Sequence, residues 1–438
     1  MATNQNLTRR QFIATTGAAL VASQLPAAES DLNKLALEGG EKAVAQKMPK
    51  PKRWGDPELQ QLGEAVQQDS LYYWKNKQTA LLTERFQKVY PHKFVQPCSS
   101  GSASLHIAAA AAGLAPGDEV ITTGITDIGT VIGVLFQQAV PVFADLEPLT
   151  YNLDPVDVAR KITPKTKAII AVHLSGNPCR IAELKEIADK HKLVLIEDCA
   201  QAWGALYRGK PVSTFGDIGC FSLQDSKHVT CGDGGIAVTS SEKFGPLLIK
   251  FGDKGTNRLH PEDTSTALGA NYRMNELSAA FAAAQLTRLE DIAAKRSKLG
   301  EFLAAELAGV TAITPPKVEA QDRCTHWAFM CRLVPAKVRC DRPTFVKALA
   351  AEGVSFSDGY IKTALYGMPM FRHHSFFAGH WPVKEMGLTK MDYAKMSLPV
   401  TEDILKTCMR FPLNEAMDED YLRAAAKAVR KVAKHFAA

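Results

Sequence analysis

Two acidic residues and one lysine follow apolar runs of the chain. Glu197 and Asp198 come directly after the apolar run 193–196, and Lys227 follows a second run at 218–223. An apolar run that ends in polar residues is typical of a buried parallel strand, and ligands bind at the carboxyl ends of such strands. A lysine amine that holds an aldehyde, and a carboxylate that keeps a pyridine nitrogen protonated, are the groups that pyridoxal phosphate chemistry requires.

Either residue alone has a simpler interpretation, as a turn cap or a solvated charge. The sequence around them is more specific: EDCAQAWGA is followed by GDIGCFSLQDSKHVTCGDGGIAVT. These blocks resemble the signature of the DegT/DnrJ/EryC1/StrS family of sugar aminotransferases, which have the fold type I architecture of pyridoxal phosphate enzymes. The resemblance implies that Lys227 is the Schiff-base lysine and that Asp198 pairs with the pyridine nitrogen. It also implies that Gln201 faces the cofactor ring and that Ser222 binds the phosphate.

A second motif predicts the other part of a phosphate site. The segment CSSGSASLHIAAAAAGL places Gly and Ser directly before an Ala-rich helix. The start of a helix exposes N–H groups and a positive dipole end, which suit a phosphate, although a plain N-cap explains the same residues. The segment resembles the family's N-G-T-A-A-L-H, and this implies that Gly101, Ser102 and the backbone of Ala103 hold the phosphate.

One position departs from the family pattern. Relatives carry an aromatic residue that stacks on the cofactor ring where this chain has Asp127. A carboxylate offers no π face, so we expect Asp127 to approach the substrate or a basic group. His228, next to the predicted Schiff-base lysine, is a second candidate for a substrate contact.

The segment GANYRMNELSAAFAAAQL resembles a motif whose Asn, in relatives, reaches the phosphate site of the neighbouring subunit. The resemblance therefore implies that Asn271 is donated across an interface. It predicts a homodimer with a shared active site, which a two-fold interface permits. A buried amphipathic helix explains the same pattern without a partner.

Apolar strand patterns alternate with helical patterns through the first two thirds of the chain. This predicts an α/β fold, a large doubly wound and mostly parallel sheet domain, followed by a smaller carboxyl-terminal α/β domain. We predict residues 29–290 for the large domain and residues 291–438 for the small one. The predicted elements include strands at 119–122, 140–144, 167–174, 193–196, 327–334 and 354–356, and helices at 128–138, 155–162, 181–191 and 343–352.

The first 28 residues have the form of a twin-arginine export signal. Arg9 and Arg10 precede a short, weakly apolar segment, and small residues follow at Ala27 and Ala28. We therefore expect a periplasmic or exported protein with a signal over residues 1–28. The alternative is a cytoplasmic protein with an amino-terminal tail that contains paired arginines by chance.

Composition excludes several classes of function. The formal net charge of +6 is spread along the chain without a basic run that contains aromatic residues, so nucleic-acid binding is not expected. No apolar stretch reaches the roughly 20 residues that span a bilayer. The nine cysteines show no metal or redox spacing, which predicts free thiols and no metal site.

These observations and the resemblance predict an aminotransferase. We expect it to move an amino group from glutamate or glutamine to a keto sugar or keto cyclitol. A sugar dehydratase with the same cofactor is one alternative, although the family's 3-dehydratases carry histidine where this chain has Lys227. An exported cofactor-binding or regulatory protein without turnover is the other. A nicotinamide oxidoreductase is disfavoured because no G-x-G-x-x-G follows the first strand.

Overall fold

The computed structural model of this chain describes residues 34–256, 258–259 and 264–438. The predicted export signal, residues 1–28, lies outside the described residues. Within the described part, a seven-stranded sheet and a three-stranded sheet organise the fold.

The large sheet is mostly parallel and doubly wound, as predicted. Its strand order is β1-β9-β8-β5-β4-β2-β3, in which β8, β5, β4, β2 and β3 run parallel and β9 runs antiparallel to both of its neighbours. The short strands β6 and β7 form a separate hairpin. The strands are β1 Phe94–Cys98, β2 Glu119–Thr123, β3 Val140–Ala144, β4 Thr166–Val172, β5 Val194–Asp198, β6 Leu206–Tyr207, β7 Lys210–Pro211, β8 Ile218–Ser222 and β9 Gly235–Thr239.

The carboxyl ends of β1, β2, β3, β4, β5 and β8 and the amino end of the antiparallel strand β9 lie at the same edge of the large sheet. Cys98, the last residue of β1, pairs with Gly235, the first residue of β9, and Gly235 also pairs with Ser222 at the end of β8. The carboxyl end of β5, at Asp198, lies beside β8. Polar groups from distant parts of the sequence therefore meet along this edge, where ligands bind in open α/β sheets.

Helices cover both faces of the large sheet. Cys220 and Phe221, adjacent in β8, belong to different core clusters, because successive side chains of a strand point to opposite faces. Phe221 packs with Phe86 and Ala282 from two helices of one layer. The helices of this part are α1 Asp56–Val66, α2 Lys77–Val89, α3 Gly101–Ala111, α4 Gly129–Phe136, α5 Pro155–Lys161, α6 Ile181–His191, α7 Gly245–Gly252, α8 Glu276–Leu286 and α9 Leu289–Glu306.

A second, smaller core forms around an antiparallel sheet of β10 Ile313–Thr314, β11 Phe329–Leu333 and β12 Cys408–Phe411. Helix α9 reaches from one core to the other, since Leu289 packs in the large unit and Leu299 in the small one. The remaining helices are α10 Arg342–Ala351, α11 Pro369–Arg372, α12 Pro382–Glu385, α13 Pro399–Thr407 and α14 Glu419–His435.

The two cores do not follow the predicted boundary everywhere. Leu35 and Val44, predicted within the large domain, pack in the small core. Conversely, Phe371 and Trp381, predicted within the small domain, pack with Phe143 of the large sheet. Hydropathy patterns identify buried residues but not the core in which they are buried, so sequence alone places these segments only by position along the chain.

Several predicted elements have the predicted bounds, and others do not. The strand at 140–144 and the helix at 181–191 match β3 and α6 residue for residue. The strand predicted at 354–356 is wrong, because these residues are irregular and only Ser357 forms an isolated bridge, to Arg410.

All nine cysteines are free, and seven are buried. None of the helices in the described part of the chain has both the length and the apolar composition needed to span a bilayer.

Candidate active site

A cavity of about 390 Å³ lies at the shared edge of the large sheet. It is bounded by the ends of β5 and β8, the starts of α3 and α4, and two residues from the connections between strands of the small sheet. Its lining residues are Ser100, Gly101, Ser102, Leu105, Asp127, Gly129, Thr130, Asp198, Ala200, Ser222, Gln224, Ser226, Lys227, Asp233, Trp327 and Tyr360.

Lys227 is a buried lysine that lines this cavity. Only 9% of the residue is exposed, and its Nζ lies 4.6 Å from the centroid of the Trp327 ring. Burial lowers the pKa of the Lys227 amine, and the nearby carboxylates of Asp198 and Asp127 oppose this shift only in part. A lysine with a lowered pKa is uncharged more often at neutral pH, which is what a nucleophile or a proton acceptor requires.

The turn that carries Lys227 is fixed from two sides. Its carbonyl oxygen accepts a hydrogen bond from the Arg53 guanidinium, which lies far earlier in the sequence. The indole N–H of Trp327 donates to the carbonyl oxygen of Ser226 at 2.8 Å. These contacts hold the lysine backbone in place while leaving its amine in the cavity.

Asp198 lies at the end of β5 with its carboxylate in the same cavity. Oδ2 accepts a hydrogen bond from the Thr130 hydroxyl at 2.9 Å, and Oδ1 accepts one from the Ala200 N–H at 3.1 Å. Burial raises the pKa of Asp198, while these two donors and the charge of Lys227 act in the opposite direction. A buried carboxylate held by only two donors is suited to pair with a cation, because a positive charge would stabilise its ionised form.

Asp127 lines the cavity from the loop before α4. Its Oδ1 accepts a hydrogen bond from the Gly129 N–H at 2.8 Å, and the side chain is exposed to the cavity. A Cβ at Gly129 would lie 2.5 Å from Ser102 Oγ, so a larger residue there would require the Ser102 side chain to move. The structure thus places Asp127 on the cavity wall, and its contact with the substrate or a basic group stays a prediction.

The start of α3 forms one end of the cavity. Gly101 and Ser102 line it, together with Ser222 at the end of β8. A Cβ at Gly101 would lie 2.6 Å from the Ser222 Cβ, so the absence of a side chain lets the two segments come together. The first N–H groups of a helix have no partner within that helix, which makes this end a suitable place for an anion.

Ala103 is placed differently from the prediction. Its N–H donates to Ser100 Oγ at 3.0 Å, since Ser100 is the N-cap of α3, and Ala103 does not line the cavity. The donors that α3 presents to an anion are therefore those of Gly101 and Ser102.

Gln201 lies behind the cavity wall and does not line it. Its Oε1 accepts a hydrogen bond from the Ser175 N–H at 2.8 Å, and its Nε2 donates to the Tyr360 hydroxyl at 3.0 Å. The side chain, predicted to face a bound ring, instead orients Tyr360, which does line the cavity.

The structure places His228 away from the cavity, and its predicted substrate contact stays a prediction. The residue is 2% exposed and does not line the cavity, and its Nε2 lies 3.0 Å from the carbonyl oxygen of Thr325. Neighbouring side chains on a turn can point in opposite directions, and here Lys227 enters the cavity while His228 enters the core. Burial lowers the pKa of His228 well below its ordinary value.

Asn271 also lies away from the cavity of its own chain. It is exposed, and its backbone forms an isolated bridge with Asp253. Its predicted contact with the phosphate site of a second subunit stays a prediction.

Among the cavity residues that were not predicted as site residues are Thr130, Trp327 and Tyr360. Asp127 lies in the loop before α4, and Thr130 lies in the first turn of that helix. The sequence pattern of a helix start does not indicate that the Thr130 hydroxyl contacts Asp198. Trp327 and Tyr360 come from the carboxyl-terminal part of the chain. The cluster of aromatic residues around Tyr360 is a sequence signal that could have indicated this wall.

A buried cluster next to the cavity resembles a metal site in composition but not in its bonding. His173, Glu197 and Cys199 place possible ligand atoms close together. However, His173 Nδ1 accepts from the Cys179 N–H at 3.0 Å and His173 Nε2 lies 3.0 Å from Glu197 Oε2. Both ring nitrogens are thus engaged within the protein, so the cluster supports the fold and does not offer a ligand.

Residues 54–430 match the model of the DegT/DnrJ/EryC1/StrS aminotransferase family. The chain belongs to this family. The match covers the whole cavity, and the motifs around Lys227 and Asp198 lie within it.

Curated members of the DegT/DnrJ/EryC1/StrS family are similar over much of this chain. L-glutamine:2-deoxy-scyllo-inosose aminotransferase from Streptomyces kanamyceticus is 35% identical over 355 residues, which cover 77% of this chain and 81% of the relative. GDP-perosamine synthase from Escherichia coli O157:H7 is 37% identical over 210 residues, which cover 48% of this chain and 57% of the relative.

Solved structures of family members have the same fold. 3-Amino-5-hydroxybenzoic acid synthase has a TM-score of 0.79 at 25% identity, with 90% of this chain and all of that chain covered. DesI, crystallised in the presence of its TDP-sugar product, has a TM-score of 0.76 at 25% identity, with 92% of this chain and 97% of that chain covered. These similarities confirm the predicted fold type I architecture, and with the family match they confirm an aminotransferase.

Proposed function

We propose that this aminotransferase uses pyridoxal 5'-phosphate to move an amino group from glutamine or glutamate to the ketone of a cyclitol or sugar. The observation that carries the proposal is the meeting of Lys227 and Asp198 in one cavity that ends at the start of α3. The similarity to a glutamine-dependent cyclitol aminotransferase and to GDP-perosamine synthase supports the two substrate classes.

The residues of the cavity fit this cofactor. Because Gly101 has no side chain, the start of α3 lies directly against Ser222 at the end of β8, and Gly101 and Ser102 begin a helix whose free N–H groups suit a phosphate. Asp198 is a buried carboxylate that a protonated pyridine nitrogen would stabilise in its charged form. Lys227 Nζ is the amine that would hold the aldehyde. When bound, the cofactor supplies an electron sink for the bonds at the amine-bearing carbon.

The protein's own groups would do three things in the reaction. Lys227 Nζ, whose pKa is lowered by burial, would in its uncharged form take a proton from the α-carbon of the donor and later return one to the product. Asp198 would hold a positive charge at the far end of the cavity, with Thr130 Oγ and the Ala200 N–H fixing its orientation. Trp327 would exclude water from one side of the lysine.

Asp127 would contact the amino acceptor. Its carboxylate lines the cavity and keeps one oxygen available, since Oδ1 is the atom that accepts from Gly129. A carboxylate oxygen can accept a hydrogen bond from a hydroxyl group, and both cyclitols and sugars carry several.

We propose a homodimer in which each chain completes the site of the other. Leu268 is 97% exposed and Phe136 is 55% exposed, and both line a surface cavity of about 310 Å³ next to Asn271. Exposed apolar groups clustered at one place are typical of an interface. A second copy of this chain, docked there, would bring Asn271 towards a partner's phosphate site.

Mixing the inactive Lys227→Ala and Asn271→Ala chains should restore about a quarter of the sites if the active site is shared.

We also propose export by the twin-arginine route, on the sequence of residues 1–28. Arg9→Lys with Arg10→Lys should keep the protein in the cytoplasm. Cell fractionation with an antibody against the chain would measure this, and unchanged periplasmic recovery of the double variant would contradict it.

The proposed reaction is tested by incubating the purified protein, pyridoxal 5'-phosphate and L-glutamine labelled with ¹⁵N at its α-amino group with 2-deoxy-scyllo-inosose. Mass spectrometry should find an amino cyclitol that carries the label, and none with Lys227→Ala. A panel of keto cyclitols and nucleotide-linked keto sugars would then rank the acceptors. Absence of labelled amine from every acceptor, with folded wild-type protein, would overturn the proposal.

A further inference from the structure

Arg53 contacts the turn that carries Lys227 but does not line the cavity. Its Nη2 donates a hydrogen bond of 2.5 Å to the carbonyl oxygen of Lys227. Among the residues that the structure describes, the guanidinium makes no other hydrogen bond and has no carboxylate within ion-pair distance. The charge of this half-buried arginine is therefore directed at one backbone atom of the lysine that carries the proposed chemistry.

A network of side chains fixes the backbone of Arg53. Its carbonyl oxygen accepts hydrogen bonds from Gln285 Nε2 and Arg288 Nη2, each at 2.7 Å. The same two side chains donate to Glu58, which is 1% exposed and also accepts from the Gly55 N–H at 2.7 Å. These contacts join the segment before α1 to the end of α8 and the start of α9, so the body of the fold sets the position of Arg53.

The same network reaches the Lys227 turn at a second point. Gln285 Oε1 accepts a hydrogen bond from the Thr230 N–H at 3.4 Å, three residues beyond the lysine. Within the turn, the Lys227 N–H donates to the Gln224 carbonyl oxygen at 2.9 Å. The peptide groups on both sides of the Lys227 Cα are thus paired, one inside the turn and the other with Arg53.

The amine of Lys227 is held far less firmly than its backbone. Among the described residues Nζ has no hydrogen bond, and its closest recorded contact is with the Trp327 ring, whose centroid is 4.6 Å away. A lysine amine lies at the end of a flexible four-carbon stem, so its reach is set by where the Cα is held. A reacting group that is misplaced by about 1 Å can cost about 100-fold in rate.

We propose that Arg53 is a positioning residue for proton transfer by Lys227, a proposal that rests on the proposed amino transfer. Its hydrogen bond holds the Lys227 carbonyl group, and with it the Cα from which the amine reaches the α-carbon of the donor. Arg53 exchanges no proton and touches neither substrate nor cofactor, because it acts only through the lysine backbone. A guanidinium suits this role, since it stays charged at neutral pH and a charged donor makes a strong hydrogen bond.

The first test separates kcat from KM in the holoenzyme. Arg53→Gln should lower kcat for transfer from L-glutamine about 30-fold, and it should leave the KM for L-glutamine and for the keto acceptor within about twofold. This division is expected when a change displaces a reacting group without altering how the substrates bind. Arg53→Lys, which keeps a charged donor at the same position, should give an intermediate kcat.

Deuterium at the α-carbon of L-glutamine distinguishes a misplaced proton acceptor from a general loss of structure. In Arg53→Gln proton transfer should become the slowest step of a single turnover, so the kinetic isotope effect should be at least about twofold larger than in the wild type. A variant in which some molecules are merely unfolded would lose amplitude in this experiment and keep the wild-type isotope effect.

Arg85→Gln is the matched control. Arg85 is also half-buried, and its guanidinium donates to a carbonyl oxygen of α8, that of Ala283, at 2.7 Å. This variant loses the same kind of hydrogen bond at another place, so its kcat and isotope effect should stay within about twofold of the wild type. Circular dichroism verifies that all three variants are folded.

Hydrogen exchange of the apoprotein measures the anchor without turnover. Mass spectrometry should find that the amides of residues 224–231 exchange at least about tenfold faster in Arg53→Gln than in the wild type or in Arg85→Gln. The reason is that the turn loses the hydrogen bond that holds its centre.

Three results would overturn the proposal. A kcat of Arg53→Gln within about twofold of the wild type would show that Lys227 needs no such anchor. A raised KM at unchanged kcat would assign Arg53 to substrate binding. Equal losses in Arg53→Gln and Arg85→Gln would reduce both effects to stability. If the wild type transfers no amine but Arg53→Gln alone exchanges faster over residues 224–231, the anchor stands and only the proposed function fails.

Discussion

The surroundings of Asp198 determine the charge of the carboxylate at the end of β5. The residue is 3% exposed, and burial alone would favour its neutral form. Two donors, the Thr130 hydroxyl and the Ala200 N–H, favour the charged form. The Thr130 hydroxyl also lies 2.7 Å from the Thr126 hydroxyl, so its direction is itself controlled.

Thr130→Val should therefore weaken cofactor binding. It removes a hydrogen bond to a charged group, which is worth about 1.5–3 kcal/mol, so we expect roughly a tenfold or greater rise in the Kd for pyridoxal 5'-phosphate. Fluorescence or absorbance titration of the apoprotein measures the Kd.

Thr122→Val is the matched control for this prediction. Thr122 lies on β2 near the same edge, and its hydroxyl donates to the Ile170 carbonyl oxygen at 2.9 Å, away from Asp198. That variant should lose stability without a comparable change in Kd. Equal changes in Kd for the two variants would contradict the role given to Thr130.

At the scale of elements, β5 places two adjacent carboxylates in different environments. Successive side chains of a strand point to opposite faces, so Asp198 faces the cavity while Glu197 faces the core. Glu197 is fully buried and accepts hydrogen bonds from the N–H groups of Ser213 and Phe215 at 2.8 Å and 2.9 Å, and its carboxylate also lies 3.0 Å from His173 Nε2. Burial raises the pKa of Glu197, but the hydrogen bond and charge of His173, together with the Gly216 and Ser213 N–H groups, hold it below the ordinary value.

The two carboxylates should respond in opposite ways to amide substitution. Glu197→Gln replaces a carboxylate oxygen, which accepts hydrogen bonds, with an NH₂ group, which donates them. Because the surrounding backbone N–H groups also donate, this change should lower the free energy of unfolding by about 3 kcal/mol. Asp198→Asn removes a buried charge with only two donors, so the apoprotein should keep or raise its thermal midpoint but bind pyridoxal 5'-phosphate poorly. Thermal unfolding and cofactor titration of both variants test this pair, and a thermal midpoint that falls more in Asp198→Asn would contradict the assignment.

The sequence predicted single elements better than their assembly. The bounds of α6 and β3 follow from local patterns of apolar residues and were predicted correctly. Local patterns are less informative at the break between α8 and α9, which are separate helices on either side of Thr287 and Arg288. Amphipathic periodicity continues across such a break, so it gives no sign of it.

The site was predictable where residues lie on strand ends of the large sheet. Lys227, Asp198 and Ser222 line the cavity, and motif resemblance identified all three. Trp327 and Tyr360 come from the connections between strands of the small sheet. Their approach to Lys227 depends on how the two cores pack together, which no local pattern encodes.

At the scale of the whole molecule, buried histidines connect stability to pH. Burial lowers the pKa of His92 and of His326 to about 4 each, and that of His228 well below its ordinary value. In the unfolded chain a histidine has a pKa of about 6.5. Between these values the unfolded state binds protons that the folded state does not, so stability is complete above about pH 6.5 and is lost as the pH falls.

We therefore expect the urea midpoint of the protein to fall between pH 7.5 and pH 5. Each of these histidines should contribute a loss of up to about 1.4 kcal/mol per pH unit in the lower part of this window. His228→Gln should reduce the slope, and His191→Gln, at an exposed position, should not. A urea midpoint that does not change over this range would contradict the burial of these neutral rings.

The visible absorption spectrum of the purified protein tests the central claim most directly, namely that Lys227 holds pyridoxal 5'-phosphate in this cavity. We expect the wild type and Lys298→Ala, a control at a lysine whose side chain is 75% exposed, to show a cofactor band that bleaches when L-glutamine is added. Lys227→Ala should lack that band or show it at a shifted wavelength, and L-glutamine should not bleach it as it does in the wild type. A wild-type protein that shows no band after addition of pyridoxal 5'-phosphate, or a Lys227→Ala variant with the wild-type band and bleaching, would contradict the account.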